Sequence, residues 1–390
     1  MMAALCFKLL PSPPKTGYQQ RELASNLGLM SKSNHERDCM LAKSLLAALI
    51  GVCLFGESAA NANDEEFSDV EPFWILLHEP AAVRELKLSA DQQRQYQAWL
   101  DELDLRFFRL RNKSKEAAQA GLVQLVGEAK QKLRQLLKPA QSERLTQMLY
   151  WRIGLSAIVQ EEPAKRIGYS KSQRMRMEDI LYETQQATAE IEKKVQAGEP
   201  RAPLEKKYKQ LQTSGQKKVL QILKPEQQTA WKNLLGPQFD VAQLGQPQYK
   251  VPELIATDGW LNSNPLTLAD QRGKVVVVHF YACGCINCIH NYPTYLEWQK
   301  KFESKDVLLI GIHSPETDAE RDLSHVRQKA AEAKLTFPIL LDAQSENWNA
   351  WGNSMWPSVY VIDKRGYLRN FWPGELKWKG SKGDTFLSDR

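Results

Sequence analysis

Cysteine is scarce in this 390-residue chain, and its placement excludes more than its number does. Of six cysteines, Cys6, Cys39 and Cys53 precede residue 63, while Cys283, Cys285 and Cys288 crowd together far downstream. No disulfide framework can be built from that distribution. A strong excess of one charge is also missing. The formal net charge is +6, mild and dispersed, which argues against a nucleic-acid partner. The apolar stretch 45–55 is too short to span a bilayer. Glycine is thin between residues 67 and 236, and no Lys or Arg stands between Cys285 and Cys288. What remains is ordinary for a globular chain, 25% charged and 43% hydrophobic, with a length that suggests two or three domains.

The organising stretch is Tyr281-Ala-Cys-Gly-Cys-Ile-Asn-Cys-Ile-His290. Gly273-Lys-Val-Val-Val-Val-His-Phe280 precedes it, a β-branched run suited to a buried strand. Residues 289–302 follow, with Tyr292, Tyr295, Leu296 and Trp298 spaced as on a helix packed by one face. A C-x-x-C pair, Cys285 and Cys288, is therefore predicted where a strand turns into a helix. The helix N-terminus carries unpaired N–H groups and partial positive charge, which favours a thiolate on the first cysteine. Cys288, one turn further in, is placed to attack a mixed disulfide formed at Cys285. An inert stapling disulfide is the minor alternative, because cysteines so close enclose little chain.

Residues 40–62 have the layout of a signal peptide: Met40-Leu-Ala-Lys43 as a basic start, an apolar core, and Ala60-Asn-Ala62 as a cleavage site. The expectation is an exported protein, soluble after cleavage, beginning near Asn63. Cys53 follows Val52 and so lacks the small residue that precedes a lipoprotein cysteine. Residues 1–39 are Pro-interrupted and aperiodic; a misassigned start with Met40 as initiator is the reading, and an uncleaved amphipathic anchor the alternative.

From residue 67 to about 236 the pattern is polar, Gln- and Lys-rich and helical, with segments 91–108, 122–137 and 175–195 carrying apolar residues at helical spacing. A repeat is visible: Leu136-Leu-Lys-Pro-Ala-Gln141 recurs as Ile222-Leu-Lys-Pro-Glu-Gln227, and Leu88-Ser-Ala-Asp-Gln-Gln93 loosely as Tyr169-Ser-Lys-Ser-Gln-Arg174. These are helix starts, with Ser89 and Ser170 as N-caps, Gln92 and Gln173 at N3, and Pro139 and Pro225 at N1. They predict two helical units, 63–160 and 161–236, and a Gly/Pro/Gln linker over 237–253. The helix starts resemble those of periplasmic Spy/CpxP-like helical proteins, which implies either a scaffold of solvated helices or a chaperone or sensor surface. His78 is a lone histidine expected near a helix end.

Residues 254–390 read as alternating strands and helices: strands over 307–313, 337–341, 358–362 and 367–371, and a helix over 319–334. With C-x-x-C at the first helix, Pro293 five residues past Cys288, Trp356-Pro357 before a strand, and Phe280 and Ala282 entering the motif, the domain resembles the thioredoxin fold. The fold class is thus an α/β thioredoxin-like domain preceded by an all-α repeat domain. Cys285-Ile-Asn-Cys288, Gly311-Ile-His-Ser-Pro-Glu316, Trp348-Asn-Ala-Trp351, Trp356-Pro-Ser-Val-Tyr-Val-Ile-Asp363 and the opening Gly259-Trp-Leu-Asn-Ser-Asn-Pro-Leu-Thr-Leu268 narrow it to the TlpA/ResA group, closest to the DipZ-like subgroup. The resemblance covers about a third of the chain. It implies an extracytoplasmic thiol–disulfide oxidoreductase, commonly kept reduced by a membrane thiol electron donor and acting on exported cysteine-containing proteins.

The resemblance further implies Cys285 as nucleophile, Cys288 as resolving thiol, and Pro357 in a cis bond facing the dithiol. His279 stands where thioredoxins carry a buried acid; a base and a packed residue are equally open for it. The remaining chain leaves only 385–390 for the terminal helix of the family, so one face of the sheet is either covered by the helical region or bare. No cofactor is expected. Cys283 with Cys285, Cys288 and His290 makes C-x-C-x-x-C-x-H, whose soft ligands suit Cu(I) or Zn; a spectator or regulatory thiol is the favoured reading. A peroxiredoxin would need P-x-x-x-T-x-x-C, which neither Cys283 nor Cys285 has. The competing functional class is a helical partner-binding protein whose thioredoxin-like domain senses redox state or binds metal.

Overall fold

The computed structural model describes residues 70–389, apart from Thr257, Ser304 and the side chain of Gln196. The expectations for 1–39, for the signal segment 40–62 and for a start near Asn63 lie outside those residues, as do Cys6, Cys39 and Cys53. Among the described residues no helix is long and apolar enough to cross a membrane.

Among the described residues nine helices come first: α1 Val70–Leu77, α2 Pro80–Glu85, α3 Ala90–Leu110, α4 Lys115–Leu136, α5 Pro139–Ile153, α6 Glu161–Ile167, α7 Lys171–Gln196, α8 Arg201–Ile222 and α9 Pro225–Leu235. The repeat is one of four helices. α2 to α5 run 6, 21, 22 and 15 residues, and α6 to α9 run 7, 26, 22 and 11. Pro139 and Pro225 open their helices as expected, and Ser170 caps α7, accepting from Gln173 N at 3.2 Å. The motif glutamines fasten these starts. Gln141 Oε1 accepts from Lys138 N (2.9 Å) while its amide donates to Leu86 O (3.2 Å). Gln227 does the same with Lys224 N (3.0 Å) and Gly168 O (3.1 Å), and accepts from Gln173 (2.8 Å). The bonds to Lys138 N, Leu86 O, Lys224 N and Gly168 O each satisfy a backbone group at a helix end. His78 lies just past α1 with Nδ1 2.7 Å from Trp74 O.

The repeat is not the packing unit. One compact unit holds Ala90–Lys130 and Gln246–Arg390; the other holds Gln131–Gly245 and, of the described residues, 70–89. The boundaries expected at 160 and 236 therefore differ from this division, and 237–253 is not all linker. Tyr249–Lys250 form an edge strand, β1, because the Tyr249 ring stacks on Phe107 (5.2 Å) and Lys250 N donates to the Asp104 carboxylate (2.6 Å).

The sheet of this unit has seven strands. Besides β1 they are β2 Trp260–Leu261, β3 Val275–Tyr281, β4 Val307–His313, β5 Ile339–Leu341, β6 Ser358–Ile362 and β7 Tyr367–Pro373, ordered β1-β7-β6-β3-β4-β5-β2. β3, β4 and β5 are parallel, and β6, β7 and the two short edge strands are antiparallel to their neighbours. Four helices complete it: α10 Ile286–Phe302, α11 Leu323–Glu332, α12 Glu346–Ala350 and α13 Gly383–Ser388. The predicted helix 319–334 is divided, because Asp322 caps α11 through Ser324 N (2.9 Å) and a 3₁₀ turn, Asp318–Arg321, precedes it.

β3 is buried along nearly its whole length, so its valines alternate between two covered faces. Val277, Tyr281, Leu309, Ile339 and Val359 pack with Tyr295 and Trp298 of α10, Val326 of α11 and Leu387 of α13. On the other face Phe280, Trp351, Tyr360 and Phe108 meet edge to face or tilted, with ring centroids 4.9–6.2 Å apart. Arg111 is inserted there, 7% exposed, its guanidinium 4.6 Å from the Phe371 centroid and donating to Trp351 O (2.9 Å) and the Tyr360 hydroxyl (3.0 Å). Residues 90–111 thus cover the face that the sequence left open. Gly352 lets them approach: its φ is +61°, and a Cβ there would lie 1.9 Å from Phe108 O.

Phe108→Ala is predicted to cost about 3–5 kcal/mol, and Gly352→Ala to destabilise as well, through both the clash and the positive φ. Denaturant unfolding followed by tryptophan fluorescence checks this; an unchanged midpoint in Phe108→Ala would show that residues 90–111 are not part of the sheet's core.

Candidate active site

β3 ends at Tyr281, and the chain turns through Ala282-Cys-Gly284 before α10 begins. Cys285 is the N-cap of α10, with extended φ/ψ of −75° and 116°. Its carbonyl accepts from Cys288 N (3.0 Å) and Ile289 N (3.1 Å), which places the residue at the open helix end. Cys285 is half-buried, and Cys288 and Cys283 are buried; all three thiols are free.

The two motif thiols are electrostatically unlike. The Cys288 thiol hydrogen-bonds to Cys285 sulfur, and this, with the backbone amides of Cys288 and Asn287, outweighs partial burial and the Glu316 charge to bring Cys285 down to about 7. Burial, reinforced by that same hydrogen bond, drives Cys288 far above the ordinary thiol range. One sulfur is thus poised as a thiolate at neutral pH while the other keeps its proton.

Pro357 follows Trp356 through a cis bond, as the fold resemblance implied. The pairing Phe280↔Ser358 puts Pro357 at the sheet end where β3 delivers the cysteines. Trp356 fixes its loop by stacking on Trp348 (3.9 Å) and donating to Ser314 O (3.0 Å). Pro293 lies inside α10.

His279 is fully buried. Neither ring nitrogen has a hydrogen-bond partner, the ring stacks on Tyr295 at 4.0 Å, and burial lowers it to about 3. A neutral imidazole enclosed by Tyr281, Tyr295 and Phe337 packs the core. The geometry favours the packed residue over the base.

Nor do Cys283, Cys285, Cys288 and His290 converge. His290 is at the surface, paired with Glu375 (3.1 Å), whereas Cys283 faces Glu320 (Sγ to Oε1 3.5 Å) and lies beside His313. Burial, with the Glu320 charge, pushes Cys283 up to about 12, and burial lowers His313 to about 4. Burial also works against ionisation of Glu320, but hydrogen bonds from Gly284, Glu316 and Thr317 N–H outweigh it and hold the carboxyl below its ordinary range. His313 stands inside the Gly311–Glu316 motif with nothing in the sequence to mark a role for it, and Glu320 lies outside that motif. The signal was present in Thr317-Asp-Ala-Glu320, a capping-box spacing whose glutamate accepts from Thr317 N (3.0 Å).

Alkylation should rise with pH as the Cys285 thiolate forms, half-maximal at a pH of about 7, while Cys283 and Cys288 stay protected in folded protein. Peptide mapping after iodoacetamide pulses from pH 5 to 10 checks it; a Cys285 midpoint no lower than the usual value of about 8.5 would contradict this electrostatic picture.

The AhpC/TSA family model matches residues 247–371. Protein DipZ of Mycobacterium tuberculosis is 35% identical over 127 residues, covering 32% of this chain and 18% of that protein. The chain therefore spans under a fifth of that relative. The thiol-disulfide oxidoreductase YkuV of Bacillus subtilis is 30% identical over 132 residues, covering 34% of this chain and 86% of YkuV. Among solved structures, a thiol-disulfide isomerase from Corynebacterium glutamicum is similar at 24% identity and a TM-score of 0.29, covering 32% of this chain and 87% of that one.

Proposed function

Because the chain belongs, through its C-terminal domain, to the thioredoxin-like thiol–disulfide oxidoreductases, we propose that it is an exported reductase of protein disulfides working through Cys285 and Cys288. The observation that carries the reading is the division between the two thiols, one accessible and acidified at a helix start, the other buried and protonated.

The Cys285 thiolate attacks one sulfur of a substrate disulfide. A Cys285–substrate bond forms, the substrate S–S bond breaks, and the departing substrate sulfur takes a proton. Cys288 then attacks Cys285 sulfur: the intramolecular disulfide forms, the mixed disulfide breaks, and the Cys288 proton leaves with the second substrate thiol. Two electrons pass to substrate, and a membrane thiol donor restores the dithiol. Pro357, without an N–H, leaves an open edge for substrate backbone beside the sulfurs. Ile286 and Ile289, exposed on the first turn of α10, give the nucleophile an apolar rim suited to a protein substrate. Export is supported by the signal-like layout of residues 40–62.

Cys285→Ser is predicted to reduce disulfide-reductase activity to the uncatalysed rate. Cys288→Ser is predicted to attack once and stall as a mixed disulfide that dithiothreitol releases. Non-reducing gels and intact mass on both variants with a disulfide-bonded protein check this; equal trapping by Cys285→Ser would reverse the assignment.

A further inference from the structure

The dithiol mechanism uses none of Cys283, His313 and Glu320, yet three separate elements bring them together. The parallel register sets Tyr281 opposite His313, so Cys283, just past β3, meets the last residue of β4. Glu320 arrives from the Asp318–Arg321 turn. Their ligand atoms all lie within 4.8 Å of one another, and all three residues are buried. The geometry points to a binding site for one divalent, borderline-soft cation of the Zn²⁺ type, with Cys283 sulfur, one Glu320 oxygen and one His313 nitrogen as ligands.

Three properties of the cluster carry this. The Cys283 Sγ to Glu320 Oε1 separation is 3.5 Å, and the edge of a tetrahedral site with Zn–S near 2.3 Å and Zn–O near 2.1 Å is about 3.6 Å. Thiolate, carboxylate and neutral imidazole carry charge −2 together, so a divalent ion makes the buried set neutral, which burial favours. Among the described residues no Lys or Arg forms an ion pair with Glu320. Glu320 is also aimed in advance, since Gly284 N (2.6 Å) donates to Oε1 while Glu316 N (2.7 Å) and Thr317 N (3.0 Å) donate to Oε2. Such outer contacts orient a ligating carboxylate. Binding releases the Cys283 proton and costs the 3.3 Å contact from Cys283 N to His313 Nε2. Three protein ligands leave one position for water or an incoming group.

The test must exclude the other thiols. In full-length chain with Cys6, Cys39, Cys53, Cys285 and Cys288 changed to serine, Cys283 is the one thiol left. Co²⁺ added to this variant is expected to give a sulfur-to-cobalt charge-transfer band and tetrahedral visible bands, and Zn²⁺ to bleach them at one ion per chain. Cys283→Ser in that background is expected to abolish the band, and Glu320→Gln to weaken affinity by more than the roughly 10–100-fold typical of an outer-sphere change. Absence of the band in the parent variant, or its survival in Cys283→Ser, overturns the site. Should these variants not fold, unsubstituted chain with Cys285 and Cys288 oxidised gives the same readout, compared before and after alkylation of its N-terminal cysteines. A sulfur band there supports the site and its absence rejects it. None of these outcomes bears on disulfide exchange.

Discussion

The structure depends on the burial of one strand along nearly its whole length. Val275–Tyr281 pairs in parallel with Val307–His313 on one side and antiparallel with Ser358–Ile362 on the other, and both of its faces are covered. A strand in that position has no freedom of register, since slipping by one residue would exchange Val277 and Tyr281 with Val278 and Phe280. Three loops then open at one end of the sheet: the cysteine turn after β3, the His313 loop after β4, and the Trp356-Pro357 loop before β6. The chemistry is gathered there because the strand cannot move.

Coverage of the second face is what joins residues 90–111 to the sheet, within one compact unit. Phe107, Phe108 and Arg111 belong to the aromatic core made with Tyr249, Trp351, Tyr360 and Phe371. A guanidinium is tolerated there because aromatic faces and two acceptors replace its water. Cooperativity should therefore extend across residues far apart in sequence.

The elements governed by local rules were legible. The strand-to-helix turn carrying Cys285 and Cys288 and the proline-opened helices with their glutamine caps follow from residue types at short spacing, while the Trp356-Pro357 cis bond was implied by the family resemblance. What was not legible depends on distant partners. Amphipathic periodicity predicts a helix over 91–108 but not that Phe108 packs on Trp351. The Gly/Pro/Gln run around 237–253 reads as linker until Tyr249 finds Phe107. His279 looked equally suited to proton transfer because its sequence position says nothing of Tyr295 and Phe337 closing around it. The sequence sets Cys283 only beside its neighbours in the motif, whereas its partner Glu320 lies 37 residues away.

The reduction potential of the Cys285–Cys288 pair tests the central claim most directly. Full-length protein would be equilibrated against dithiothreitol and glutathione buffers, quenched in acid, and the two cysteines counted by peptide mass. A single two-electron transition confined to this pair, near the roughly −270 mV of thioredoxin, is the expected result for a reductase. A pair that stays reduced across the whole range would contradict disulfide exchange at this site, and a value near −120 mV would reverse the direction of electron flow.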